Sequence, residues 1–285
     1  MSVSQRRAIH YRPMTAADVA NAHALSVALK WPHRLEDWAM LQRLAQGFVA
    51  EDNGRLIGSS FACHQGDFTT IGLVIVSDDY QGQGIGRRLM DLALETVGPR
   101  TAVLNATLAG APLYTKMGFK DFGQIEQRQG QANIAQTTPL KAGAQCRALS
   151  LGDAPRLIEL ANAGSGLDRA AILDDLLPDA KYGVGIESAG QLQAFALLRP
   201  FGRGLCLGPV IAQDAEQAKH LIETLLNKVP YAFVRIDIPV ASGLSLWLEA
   251  AGLKQVDTVA QMSMGAIPAA TRGVQQFALV SQAIG

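Results

Sequence analysis

Hydrophobic and polar positions along the chain switch between a period near two and a period near 3.6, and each switch marks an element. His10, Tyr11 and Arg12 with Ile9 predict a short strand. Thr15 and Asp18 then stand as capping residues for a helix reaching about Lys30, which Trp31-Pro32-His33 ends. Leu35, Trp38, Leu41 and Leu44 recur every three residues and predict a second helix over about 35–46 with one apolar face. Residues 48–51 and 56–63 flank Asp52-Asn53-Gly54, the pattern of a β-hairpin. Next, the apolar and β-branched run 71–76 predicts a strand, followed by a polar turn, by Gly82, Gly84 and Gly86, and by a helical pattern to Glu95. A strand at 101–105, a short helix at 111–117 and extended chain from Phe119 complete this half.

The second half replays the order. Arg12-Pro-Met-Thr-Ala-Ala-Asp18 has the outline of Arg147-Ala-Leu-Ser-Leu-Gly-Asp153, each a strand end, an apolar residue, a hydroxyl and an acid ahead of a helix. A second helix is predicted at 168–177, and 182–187 with 192–198 forms a hairpin across Ser188-Ala189-Gly190. The strand 205–211, the amphipathic helix 214–228, the strand 232–238 and the helix 242–251 follow, and the strand 254–264 closes the set. The pattern β-α-α-β-β-β-α-β-α-β thus occurs twice, offset by about 135 residues, which means two domains rather than a solenoid. These domains span 1–135 and 144–285. The polar stretch 130–143, rich in Gln, Ala and Thr, reads either as a linker or as a crossing strand plus a loop.

Composition narrows the function classes. With 285 residues, 48% hydrophobic and 18% charged, each half can bury a core of its own. The 25 basic and 25 acidic residues cancel, so the basic excess of a nucleic-acid binder is missing. Cys63, Cys146 and Cys206 are far apart in apolar surroundings, which predicts buried free thiols and neither a disulfide framework nor a metal cluster. No run reaches 18 uninterrupted apolar residues and the polar start has no apolar stretch behind it, so a soluble cytoplasmic protein without a membrane partner is expected.

Chemistry concentrates at Gly82, Gly84 and Gly86. Glycines between a strand and a helix admit positive φ and let a ligand approach the backbone, so loop amides and the positive helix end make an anion cradle. A Walker A loop would need a Lys and a hydroxyl residue after Gly86, where Arg87 and Arg88 stand. A dinucleotide fingerprint opening at Gly82 would need a small residue at position 87, and Arg87 is not small.

What remains, Gln81-x-x-Gly84-x-Gly86, resembles the pyrophosphate-binding signature of the GCN5-related N-acetyltransferases (GNAT). Leu113-Tyr114-Thr115-Lys116-Met117-Gly118-Phe119 is similar to that family's Y-x-x-x-G-F helix and turn, and the two motifs together cover about 8–125. The whole arrangement resembles bacterial tandem members. This resemblance implies an α/β (α+β) fold of two tandem GNAT-like domains, each a mixed, mostly antiparallel sheet flanked by helices. It implies an acyltransferase with acetyl-CoA as co-substrate, no metal, and a small-molecule amine or amino-acid-like acceptor rather than a protein. Carried onto this chain, the backbone of Val74, Ile75 and Val76 holds the pantetheine arm, with Val74 and Val76 donating. Gln81, Gly82, Gln83, Gly84, Ile85 and Gly86, with the amide of Arg87, hold the pyrophosphate. Arg87 or Arg88 adds charge. Asn105 meets the pantetheine or a bridging water, and Tyr114 is the general acid for the departing thiolate. A phenol near pKa 10 can supply a proton to a thiolate whose conjugate acid lies at about 8.5.

Two departures matter. Many members carry a carboxylate on the strand before the loop, whereas 71–76 has none and Gly72 occupies its middle. The base is then a water relay, a group from elsewhere (Asp67, His64, His33 or Glu36), or unnecessary if the amine arrives neutral. Cys63 as an acyl carrier is the alternative to direct transfer. In the second half, Leu207-Gly208-Pro209-Val210-Ile211-Ala212-Gln213 lacks the glycine spacing, Asp214 and Glu216 would repel a pyrophosphate, and Trp247-Leu248 stands where a Tyr is needed. A degenerate copy is expected, walling off the acceptor through Arg169, Asp237 and Trp247 or only packing. A non-catalytic acyl-CoA sensor is the rival to an enzyme.

Overall fold

The computed structural model describes residues 8–131 and 137–285. The first half runs β1 (His10–Pro13), α1 (Val19–Ala28), α2 (Leu35–Leu44), β2 (Gln46–Asp52), β3 (Arg55–Gln65), β4 (Phe68–Val76), α3 (Ile85–Glu95), β5 (Thr101–Ala106), α4 (Ala111–Lys116) and β6 (Lys120–Gln131). The second runs β7 (Ala144–Ala148), α5 (Ala154–Ser165), α6 (Ala170–Leu176), β8 (Tyr182–Ser188), β9 (Gln191–Phe201), β10 (Gly204–Ala212), α7 (Ala215–Asn227), β11 (Phe233–Pro239), α8 (Ser245–Ala250), β12 (Lys254–Ser263) and β13 (Gln275–Ala278). Through β12 this is the order read from the sequence.

The repeat is visible down to single ion pairs. Arg12 donates to both carboxylate oxygens of Asp18, at 2.8 and 2.7 Å, and to Glu51. Arg147 repeats this with Asp153 at 3.0 and 2.8 Å and with Glu187. In each half the same Asp accepts from the backbone and hydroxyl of the capping residue, Thr15 or Ser150. The motif ties the first strand to the helix entry, so its residues return where the fold returns.

The two halves share one sheet, ordered β1-β2-β3-β4-β5-β12-β6-β11-β10-β9-β8-β7, with β13 also on β10. β12 lies between β5 and β6 of the first half, and β6 lies between β12 and β11 of the second. Each half therefore completes the other's sheet. Apolar helix faces cover it: Leu89, Met90 and Ala93 of α3 on one half, Leu221, Ile222 and Leu225 of α7 on the other, all buried.

Two stretches bear on the expectation, the first of which takes the strand-plus-loop alternative where it is described. Of the stretch 130–143, Gly130 and Gln131 belong to β6, residues 132–136 lie outside the described residues, and Thr138 packs on α7 through the Glu223 carboxylate and the His220 ring. The set also does not close at 254–264, because β13 and the segment 279–285 follow and thread between the halves.

A bulge interrupts the fourth strand of each half. Leu73 and Val74 together oppose Ser60, with Leu73 at φ 47. Gly208 and Pro209 together oppose Leu197. Val74 and Pro209 are thus structural counterparts. β4 and β5 pair in parallel from Phe68–Thr101 to Ile71–Leu104 and then part. β10 and β11 pair only at Leu205–Val234 and Cys206–Arg235, and beyond them β13 occupies the gap against Val210, Ile211 and Ala212.

Candidate active site

A cleft of about 700 Å³ opens where β4 and β5 part. The Ser77 amide donates to Ile57, and strand alternation therefore turns the Ile75 amide toward β3 and those of Val74 and Val76 toward the open edge. Val74, Ile75 and Val76 all line the cleft. The glycine loop continues this wall: Gly82 at φ 73 and Gly84 at φ 81 hold conformations natural only to glycine. Gly84 caps α3 without any side-chain bond, and the Arg88 amide is the first to find an intrahelical carbonyl, that of Gly84. The amides of Ile85, Gly86 and Arg87 are left open at the positive end of the helix. Gln81, Gly82, Gly84, Ile85, Gly86 and Arg87 line the cleft, whereas Gln83 turns away toward the Asp79 carbonyl. The guanidiniums of Arg87 and Arg88 pair along the helix with Asp91 and Glu95, each at 3.2 Å.

Tyr114 enters from α4. Its ring packs edge-on to Phe119 at 6.1 Å, and a Cβ on Gly110 would fall 2.9 Å from it, so this glycine lets the phenol lie close to the chain. Among the described residues the hydroxyl has no hydrogen-bond partner, and burial pushes its pKa up to about 12. Asn105 lines the same cleft but donates its amide to the Gln282 carbonyl at 2.8 Å.

The far wall comes from elsewhere in the chain. Ser281, Gln282 and Ala283 cross in front of β4, and Phe201, Arg235 and Asp257 of the second half face Trp31, Pro32 and His33 of the first. The contact is tight, since a Cβ on Gly202 would meet the Pro32 carbonyl at 2.6 Å. His33 packs edge-on to Phe201 at 5.5 Å, its Nδ1 is buried without a partner among the described residues, and burial followed by the Arg235 and Arg199 charges holds its pKa at about 3.

The other proposed bases stand apart. His64 bonds Thr69 at 2.9 Å, and neither it nor Asp67 nor Glu36 lines the cleft. The buried Cys63 thiol is pushed up to about 11, chiefly by burial, which opposes a nucleophilic thiolate. Of the second-half candidates, Asp237 is buried against Arg235 at 2.9 Å, Arg169 faces a separate cavity, and Trp247 packs on the second core.

The matching region of the second half is closed. Pro209 has no N–H to offer where Val74 has one. Asp214 caps α7 by accepting from the Gln217 amide at 2.9 Å and pairs with Lys141 at 2.9 Å, so a carboxylate fills the helix end that α3 leaves open.

Two family models, both described as acetyltransferase (GNAT) domain, match residues 43–121 and 157–278, one in each half and together more than half of the chain. The chain belongs to the GNAT family. It is 32% identical over 176 residues to YitH of Bacillus subtilis, described as an uncharacterized N-acetyltransferase, a match spanning 61% of this chain and 61% of YitH. A candidate acetyltransferase from Pyrococcus horikoshii superposes with a TM-score of 0.78 at 18% identity, over 100% of this chain and 98% of that one. A tandem GNAT protein from the clavulanic acid biosynthesis pathway superposes with a TM-score of 0.65 at 15% identity, over 91% and 99%. The tandem GNAT fold expected from the glycine loop and the Tyr114 motif is therefore the observed one.

Sequence reasoning missed four contributors to this GNAT cleft: Phe201, Arg235, Asp257 and the segment 281–283. Only Arg235 gave a signal, as a charge alternating with Asp237 inside an otherwise apolar strand. Among the described residues no helix is long and apolar enough to cross a membrane.

Proposed function

We propose that this protein is an acetyl-CoA-dependent N-acetyltransferase that passes the acetyl group directly to the primary amine of a small, amino-acid-like acceptor. One observation carries the reading: the open amides of Val74, Val76 and the first turn of α3 share a cleft with the unpartnered Tyr114 hydroxyl. The amides fit a pantetheine arm and a pyrophosphate, and the corresponding places in the second half hold Pro209 and Asp214. The first half is then catalytic and the second a degenerate copy that builds the acceptor wall.

The amine nitrogen attacks the acetyl carbon, the C–S bond breaks, and the Tyr114 hydroxyl gives its proton to the departing thiolate. Asp257 takes the proton leaving the amine, directly or through a water. It is the one carboxylate among the described cleft-lining residues; one oxygen accepts from the Thr258 amide at 2.8 Å and the other is free to accept. The test is thiol release from acetyl-CoA across a panel of amines, with Asp257→Asn in parallel. Acceleration by an amine, lowered in the variant, is expected. Slow hydrolysis that no amine accelerates would favour a sensor instead.

A further inference from the structure

Opposite the glycine loop the cleft is built around one aromatic ring. The guanidinium carbons of Arg199 and Arg235 lie 5.0 and 5.3 Å from the centre of Phe201, and the His33 ring abuts its edge. Arg199 and Arg235 are both buried, at 4% and 6% exposure. Positive charge is in excess there. Asp237 is engaged by Arg235, while Asp37 pairs with Arg34 at 3.0 Å and stands 3.7 Å from Arg199, so two carboxylates serve three guanidiniums. Asp257 is exposed and at the rim of the same cleft.

Polar nitrogens in this corner are also left over. Arg199 Nε and His33 Nδ1 are buried without partners, and Arg235 Nη1 meets no acceptor among the described residues. Leaving buried polar groups unpaired is costly, and native structures complete them with ordered water, an ion or a ligand. Burial is the main cause of the depressed His33 pKa, and the Arg235 and Arg199 charges lower it further, since protonation would add another cation beside the two guanidiniums.

We infer that Arg235 and His33, held against the Phe201 ring, form a subsite for an anionic group on the acceptor, a carboxylate or a phosphate ester, so that the preferred substrate is a small amine carrying such a group. This rests on the proposed acetyltransferase function and narrows it. Arg235, which lines the cleft, supplies charge and directed donors, and neutral His33 supplies an N–H from the side. Arg199 sits behind Phe201 and adds field without needing contact. The site discriminates by leaving its donors unpaired when the acceptor is neutral.

The experiment compares matched acceptors on the full-length protein at saturating acetyl-CoA. One set is an α-amino acid, its primary amide and the decarboxylated amine; the other is an aminoalkyl phosphate and its amino alcohol. The anion-bearing member should exceed its neutral partner by at least about tenfold in kcat/KM in one set, and which set responds identifies the anion. Arg235→Lys and His33→Ala should shrink that ratio while leaving the Kd for coenzyme A, measured on the same preparations, within about twofold. Neutral amines that match or surpass the anionic ones would overturn the subsite. So would coenzyme A binding without acceleration by any anionic amine. Failure of coenzyme A to bind at all would instead remove the function beneath it, and the subsite with it.

Discussion

A Cβ placed on Gly72 would lie 2.5 Å from the carbonyl oxygen of Ala283. The middle of β4, where many relatives of this fold were expected to carry a carboxylate, is here pressed against the segment 281–283, so no side chain of any kind fits. The vacancy in the sequence at Gly72 is thus the imprint of a distant piece of chain. The cleft obtains its acidic group from β12 instead.

Gly72→Ala should therefore cost stability although alanine suits a strand better than glycine. The clash is with backbone, which cannot swing aside, and overpacking of this kind costs about 1–3 kcal/mol. Urea denaturation should show a lowered midpoint, and acceptor KM should rise more than the Kd for coenzyme A because the displaced segment faces the acceptor side.

Tyr114→Phe should lower kcat by about a hundredfold or more, the usual size of a general-acid contribution, with coenzyme A affinity unchanged. Burial raises this phenol to about 12, so the proton it donates is retained throughout the neutral and mildly alkaline range. The wild-type rate should accordingly show no fall attributable to Tyr114 up to about pH 10. Full turnover by the variant with an unaltered pH profile would end the assignment.

Asp214→Ala should remove the cap of α7 and cost about 0.5–2 kcal/mol in thermal or urea unfolding. It should not open a second coenzyme A site, because Pro209 and β13 still close the strand edge.

His33 sets a pH dependence of stability. Its folded pKa, about 3, lies below the ordinary 6.5 of the unfolded chain, so the unfolded state binds the proton first. The contribution is fully present above about pH 6.5 and is lost as pH falls toward 3. Urea midpoints should drop between pH 7 and 4.5, and His33→Asn should flatten that drop. His64, also lowered by burial and Arg100, leaves a residual slope.

The elements of both halves were legible because each switches hydrophobic period sharply, as at Val76 to Ile85 and at Ala212 to Ala215. The glycine loop was legible because positive φ at Gly82 and Gly84 demands glycine. The exchange of β6 and β12 was not, since either strand presents an alternating face that suits its own half as well as the other. Nor was the path of 265–285, where Gly265, Pro268 and Gly273 break any period and the only strand, β13, is four residues long. Part of the cleft's far wall was hidden for the same reason: Asp257 and Ser281 reach the first half's cleft only through those two features.

The central claim is that one half of this tandem protein binds acetyl-CoA and the other cannot. Calorimetry with coenzyme A on the full-length chain tests it directly, alongside Gly84→Val, which forces a β-branched residue into φ 81 with no steric contact to disturb. The account predicts one site per chain in the wild type, one in Asp214→Ala, and none in Gly84→Val while its unfolding transition persists. Two sites in the wild type, or undiminished binding by Gly84→Val, would contradict it.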